Sequence, residues 1–175
     1  MTSRRKTREL AFIALYQLEV GRHELEPLIQ DTIVREGIDA DARPYFRSLV
    51  RAVWKEHPLL DALIDLAAAG WRAERLGKVE LSILRLTAAE LTQEILGERG
   101  EAAVVISEAV ILAKRYAGEE SARFINGILG KVAGMESPLD LAQAALDAPR
   151  ETIPRKALPK ELPKRGQSST NQSQE

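Results

Sequence analysis

The sequence predicts an all-α fold: a compact domain of about seven helices in two subdomains of about three helices each, followed by a flexible C-terminal tail. Three observations carry this expectation. Alanine, leucine, glutamate and arginine, all good helix formers, are abundant. Aromatic residues make up 5% of the chain, and no segment sustains the period-2 alternation of a half-buried strand. Apolar residues recur instead at helical spacing, between short breaks marked by glycine or proline.

The first helix is expected over 4–20, with Ala11, Ala14, Leu15 and Leu18 on one stripe and Gly21 ending it. The second runs over 25–36 and stops at Gly37. Asp41 offers a cap for the third, with Pro44 in its first turn and Tyr45, Leu49, Ala52 and Val53 on its buried face. Pro58 opens a fourth helix, closed by Gly70, and the two subdomains are expected to meet near there. A longer helix follows over 78–96, where Val79, Ile83, Leu86 and Glu90 share a side. AVVISEAVILAKRY and the segment 119–132 complete the domain. Residues 1–135 then form one helical domain. SPLDLAQAALDAP, within 136–148, reads as one extra short helix with a serine cap. Prolines recur through 149–175, which ends in GQSSTNQSQE and reads as a disordered tail. Its stretch 150–165 carries six basic and two acidic residues, so a basic strap is the alternative to a solvated tail.

Composition excludes several classes of function. With no cysteine, disulfides, thiolate metal sites and cysteine nucleophiles are ruled out, and His23 and His57 have no ligand spacing. No apolar run is long enough to span a membrane, and no apolar core follows the basic start, so a cytoplasmic protein is expected. No nucleophile–base set, phosphate loop or acid pair in an apolar setting appears, so neither catalysis nor a cofactor is expected. A formal net charge of −1 denies the chain a domain-wide basic field, and any nucleic-acid contact must be a local patch.

Such a patch opens the chain. Arg4, Arg5, Lys6 and Arg8 crowd the N-terminus of the first helix, where cations oppose the macrodipole. Arg4 and Arg8 share a face that continues into Ala11 and Leu15, and Glu9 is the one acid near them in sequence. A solvated charge run is the bland alternative. An anionic partner explains the cluster more easily, because guanidinium groups fork onto phosphates and stack on bases. A second basic group, Lys114, Arg115 and Arg123, surrounds Tyr116, an arrangement suited to base stacking or to a core tyrosine among surface cations. Gly127, Gly130 and Gly134 share a narrow face, which suggests close packing against another helix. Trp71 and Leu76 could anchor the second subdomain. Glu74 and Glu80 read equally as solvated or helix-start acids and as a docking face for a basic protein. Asp61 and Asp65 read as surface residues.

The segments RRKTRELAFIALYQLEV, YFRSLVRAV, WRAERLGKVELSILRLTAAEL and ISEAVILAKRYAGEESARFINGILGKV occur in the order and spacing of the NusB family. Together they cover nearly all of 3–135, and the chain resembles that family of transcription antitermination factors. The resemblance implies two three-helix-type subdomains with an additional helix, and no enzymatic activity. It implies pairing with NusE, a small-subunit ribosomal protein, and joint binding of the single-stranded boxA element of nascent RNA. The partners would include the transcribing RNA polymerase, and the process ribosomal RNA transcription and maturation. By the same resemblance Arg4, Arg5, Lys6 and Arg8 contact RNA, together with Tyr116, the acidic Glu120 and the basic Arg123, with Lys114 beside them. Tyr16, Glu74 and Glu80 fall on the NusE-facing surface. The chain departs from the family at Ser107, often asparagine; at Glu101 and Ala102, near a common proline; at Ala89, often aromatic; and at Gly130, often acidic or amide. Two other readings compete: a self-associating helical interaction module or homodimer, and the detached RNA-binding domain of a ribosomal RNA methyltransferase.

Overall fold

In a computed structural model, residues 1–97 and 99–148 are described, and among them every regular element is helical. The tail expected over 149–175, with its basic strap, lies outside the described residues. The order is α1 (Arg4–Val20), α2 (Leu25–Arg35), α3 (Arg43–Lys55), α4 (His57–Ala67), a 3-10 turn (Ala73–Arg75), α5 (Lys78–Leu91), the single turn α6 (Gln93–Leu96), α7 (Ala102–Tyr116), α8 (Glu119–Ala133) and α9 (Pro138–Asp147). Among the described residues no helix is long and apolar enough to cross a membrane.

The fold is organised around α5. Every residue from Leu81 to Leu91 is buried. Helices α1, α3, α4, α7 and α8 all pack against it. A helix covered on all sides needs apolar residues all round, and LSILRLTAAEL supplies them, with polar exceptions that must be satisfied internally. Ser82 and Thr87 return their hydroxyls to the Lys78 and Ile83 carbonyls, at 2.7 and 2.8 Å. Arg85, 7% exposed, forks onto Asp61 with Nε–Oδ1 2.6 Å and Nη2–Oδ2 2.7 Å, and reaches Glu19 from Nη1 at 2.8 Å. Asp61 is therefore no surface acid but the α4 end of a clamp joining α1, α4 and α5. Asp65 departs from the surface reading too: it accepts the Ala73 amide at 2.6 Å, and burial raises its carboxyl above the ordinary value.

The subdomain boundary falls at Glu56, not near Gly70. Helices α1, α2 and α3 pack on one another, whereas α4 packs chiefly on α5, α8 and α9. The apolar face of α4 (Leu60, Leu63, Ile64, Ala67) has to be covered by the second bundle. Gly70, at φ +109°, lies in the loop that follows α4. The helix expected over 78–96 breaks at Thr92, whose backbone is extended and whose hydroxyl bonds the Ala88 and Ala89 carbonyls at 3.0 and 3.1 Å. Two expected caps are absent. Ala42 stands at the cap of α3, where the Asp39 carbonyl accepts from the Ala42 and Arg43 amides. Ser137 sits in the left-handed region at φ +47° and makes no side-chain cap bond to α9.

The glycines of α8 are not packed against another helix. A Cβ at Gly127 or Gly130 would meet nothing within 4 Å, and both residues are exposed. Gly127→Ala and Gly130→Ala are thus each expected to stabilise the fold, by about 0.4–1 kcal/mol, through loss of unfolded-state freedom. Chemical denaturation of each variant checks this; an unchanged or lowered midpoint would show that the face is not open.

Glu19 yields an expectation for pH. Its burial pushes the carboxyl up, but Lys78 and Arg85 outweigh that and hold it below the ordinary carboxylate value. A carboxyl whose value is depressed by folding adds stability above its unfolded value, roughly pH 4.3, and that stability is lost as pH falls through the folded value. Denaturant midpoints taken from pH 7 to pH 3 should decline less in Glu19→Gln than in the parent; parallel declines would remove Glu19 from the acid response.

Candidate nucleic-acid interface

The basic start is helical from its first residue because Ser3 caps it: its Oγ accepts the Lys6 amide at 3.1 Å. All four cations consequently lie in the first two turns of α1. Arg4 lays its guanidinium over the Tyr45 ring, 3.9 Å from the centroid. Arg5 forks onto Glu108 of α7, with Nε–Oε2 2.9 Å and Nη2–Oε1 2.8 Å. Lys6 pairs with Glu9 at 3.1 Å, and Arg8 Nε donates to Glu90 Oε1 of α5 at 2.8 Å. The sequence showed one acid near this cluster, but tertiary structure brings two more, Glu90 and Glu108.

These contacts divide the cluster. The Arg8 side chain is 14% exposed and turns inward, and Glu90 also accepts a hydrogen bond from the half-buried Tyr45 hydroxyl. Burial opposes the Arg8 charge, yet Glu90 holds its pKa above the ordinary value, while burial and Glu90 together push the Tyr45 phenol up. Arg8 thereby anchors α1 to α5. The Arg5 and Lys6 side chains, by contrast, keep 66% and 51% of their surface in solvent.

Across from them runs the C-terminal half of α7. A cleft of about 180 Å³ separates the two, with Ser3, Arg5, Lys6 and Arg8 on one wall and Glu108, Ile111 and Arg115 on the other. Glu9 closes one end. Its Oε1 accepts from the Tyr116 hydroxyl at 2.8 Å and from Arg115 Nη1 at 2.5 Å. Burial pushes the Glu9 carboxyl up, but Tyr116, Lys6 and Arg115 outweigh it, leaving a charged acid below its ordinary value. Glu108 is held low by Arg5. The Tyr116 ring leans on Phe12, centroids 5.0 Å apart, and remains 40% exposed, so one part packs while another stays open for stacking.

Gly118, at φ +99°, makes the tight turn that starts α8 directly after α7. Lys114 lies 3.7 Å from Glu119 across this turn, with Glu120 and Arg123 exposed beyond it. The structure thus brings Arg5, Lys6 and Arg8 to one cleft, with Tyr116 bonded to Glu9 of its lining, and places Lys114, Glu120 and Arg123 at the α7–α8 turn and on α8. Glu108, Glu90 and Tyr45 were not found as partners from sequence. The one available signal was Glu90, an acid on the apolar stripe of α5.

Tyr16, Glu74 and Glu80 come from three different elements. Tyr16 is half-buried on α1, and Glu74 is exposed on the 3-10 turn, 3.4 Å from Arg72. Glu80 is half-buried and accepts the Ser121 hydroxyl of α8 at 2.8 Å, which clips α5 to α8. Trp71 packs edge-on against Phe124, centroids 5.9 Å apart, and secures the same corner. Among the described residues no hydrogen bond or ion pair joins Tyr16 to either acid.

Residues 5–134 match the model of the NusB family. The transcription antitermination protein NusB of Acetivibrio thermocellus is 40% identical over 129 residues, which cover 74% of this chain and 87% of that protein. Its namesake in Ruminiclostridium cellulolyticum is 33% identical, covering 83% of this chain and 98% of that protein. Among solved structures, NusB of T. maritima superposes with a TM-score of 0.70 at 33% identity, covering 81% of this chain and 98% of that one. A chain from the crystal structure of the antitermination factors NusB and NusE in complex with double-stranded RNA gives a TM-score of 0.67 at 30% identity, covering 74% and 95%. The match takes in the basic start from Arg5 onward, the central α5 and the whole of α7 and α8, and the chain belongs to the NusB family.

Proposed function

We propose that this protein is a transcription antitermination factor that binds boxA-type single-stranded RNA jointly with NusE, and so supports transcription and maturation of ribosomal RNA. One observation carries the reading: the N-terminus of α1 is held against α7 so that Arg5, Lys6 and Arg115 line one solvent-facing cleft, with Tyr116 hydrogen-bonded to Glu9 of the same lining. Phosphates meet the guanidinium and ammonium groups, and a base stacks on the open part of Tyr116. Arg4, Lys114 and Arg123 extend the cationic rim, and Glu120 restricts where the backbone can run. Arg8 serves by holding α1 in place. NusE docks on the side bearing Tyr16, Glu74 and Glu80, with Glu74 the more accessible acid. The work is binding, without a chemical step, and is done by residues 1–135 in the cytoplasm on the nascent transcript of RNA polymerase; 136–148 and the tail 149–175 are appendages to it. A related chain crystallised with NusE and double-stranded RNA supports the joint use of RNA and NusE.

The test is a titration of a boxA-type RNA, in single-stranded and duplex form, with the protein alone and paired with NusE across a salt series. Binding should tighten with NusE. Replacing Arg4, Arg5 and Lys6 by alanine should flatten the salt slope by about 2, at roughly 0.7 per phosphate contact to a single strand. Parent-like binding at every salt would leave the cluster a solvated helix end and favour the self-associating module.

Arg8→Ala should act differently. It leaves Glu90 buried with Tyr45 alone and should lower stability by about 1–3 kcal/mol, seen in thermal melts. A stable Arg8→Ala protein with weakened RNA binding would instead place Arg8 on the ligand.

A phosphate arriving at Arg5 must displace Glu108. Glu108→Gln is expected to tighten RNA binding several-fold, by removing a competing negative charge beside the phosphate. Weaker binding by that variant would mean that Glu108 chiefly orients Arg5.

A further inference from the structure

A second basic surface lies along α3. Arg43, Arg47, Arg51 and Lys55 stand at every fourth residue, and RPYFRSLVRAVWK contains no acid. Each step advances about 6 Å along the axis, so the cations form a slowly winding ridge of roughly 18 Å. Such like-charged neighbours destabilise a helix, so local helix stability does not account for them. The ridge borders a shallow groove of about 450 Å³ lined by Pro44, Arg47, Ser48, Arg51, Ala52 and Lys55.

The charge of this ridge is only partly offset. Arg43 Nε donates to the Ile38 carbonyl at 2.8 Å, and Arg47 Nη2 to Gln30 Oε1 at 3.2 Å; both acceptors are neutral. Arg51 forks onto Glu26, and Lys55 lies 3.5 Å from Glu56. Four cations thus face two carboxylates. The Arg51 and Glu26 side chains are 47% and 53% exposed, and exposed pairs of this kind are weak enough for a phosphate to compete.

The ridge also begins where the basic start of the chain lies. Arg4 covers the ring of Tyr45 in the first turns of α3, and Thr2 Oγ1 donates to Asp39, just before α3, at 2.6 Å. Both basic runs therefore touch the N-terminal end of α3, Arg4 on its Tyr45 side and the start of the ridge about half a turn of the helix away. We propose that the α3 ridge is a second phosphate-binding track, along which RNA leaving the Arg4–Arg5–Lys6 cluster continues; this rests on the RNA-binding function proposed above. Three of the four cations are arginines, whose forks suit successive phosphates of an extended strand. Pro44 and Ala52 are the apolar residues of the groove's lining, and the rest is serine and the cations themselves.

The experiment uses the protein paired with NusE, a boxA-type RNA of about 12 nucleotides, and the same RNA lengthened at its 5′ end or at its 3′ end. Parent and an Arg47→Gln, Arg51→Gln, Lys55→Gln variant are titrated across a salt series. Both should bind the short RNA alike. One lengthened RNA should bind the parent more tightly and with a steeper salt slope, and the variant should lose that gain, its slope falling by about 2 from three contacts at roughly 0.7 each. Lys55→Gln alone, at a side chain 82% exposed, should lower the slope by about 0.7 without disturbing the fold. If lengthening the RNA gains nothing, or parent and variant bind the long RNAs alike, the track is overturned while the function stands. If the variant loses NusE rather than RNA, the ridge is a protein contact and the track is likewise overturned. If the parent fails to bind even the short RNA, the antitermination reading itself falls.

Discussion

The burial of α5 on all sides is the constraint on which the rest of the structure depends. A helix with no solvent face cannot leave a charged side chain unmatched, because desolvation of an unpaired ion costs more than packing returns. Arg85 and Glu90 both stand on this helix, and neighbouring elements supply their counter-charges: Asp61 from α4 and Glu19 from α1 for the one, Arg8 and the Tyr45 hydroxyl for the other. These contacts fix α1 at two points along its length. The same pairing that satisfies Glu90 therefore also positions the first turn of α1, where Arg5 and Lys6 face solvent.

The basic cluster at the start of α1 is accordingly ordered before any ligand arrives. Arg5 is held in a two-point fork, Arg4 rests on a ring, and Glu9 gathers Lys6, Arg115 and Tyr116. Ordering of this kind lowers the entropy lost on binding, since long cationic side chains otherwise surrender rotamer freedom when they engage a phosphate. It also opposes binding, because each carboxylate competes for its cation. Both effects fit a surface that works with a second protein, where affinity is raised by the partner's own contacts instead of by a saturated basic patch.

Much of the molecule was legible in the sequence. The helical class, the extent of α1, the start of α5 and the ends of α7 and α8 followed from apolar periodicity and from glycine placed at helix ends, both of which are local signals. The boundary between subdomains was not legible, because α4 could have covered its apolar face with either bundle. The capping roles expected of Asp41 and Ser137 failed because a cap is a matter of backbone angle, and Ser137 lies in the left-handed region. The glycines of α8 read as packed, yet they line open surface, since spacing alone places residues on a face without saying what lies opposite it.

By itself, the sequence determined which residues carry charge, which stretches become helices and that the basic cluster stands at the start of the first of them. Only the tertiary structure decided what each charge does. Arg8 is adjacent to Arg5 on paper, but packing turns it inward to Glu90 while Arg5 stays at the surface with Glu108, more than a hundred residues away in the chain. The reason is physical. Helix formation depends on neighbours within a turn or two, whereas the role of an ion depends on its solvent exposure and its partners, and both are set by which helices meet.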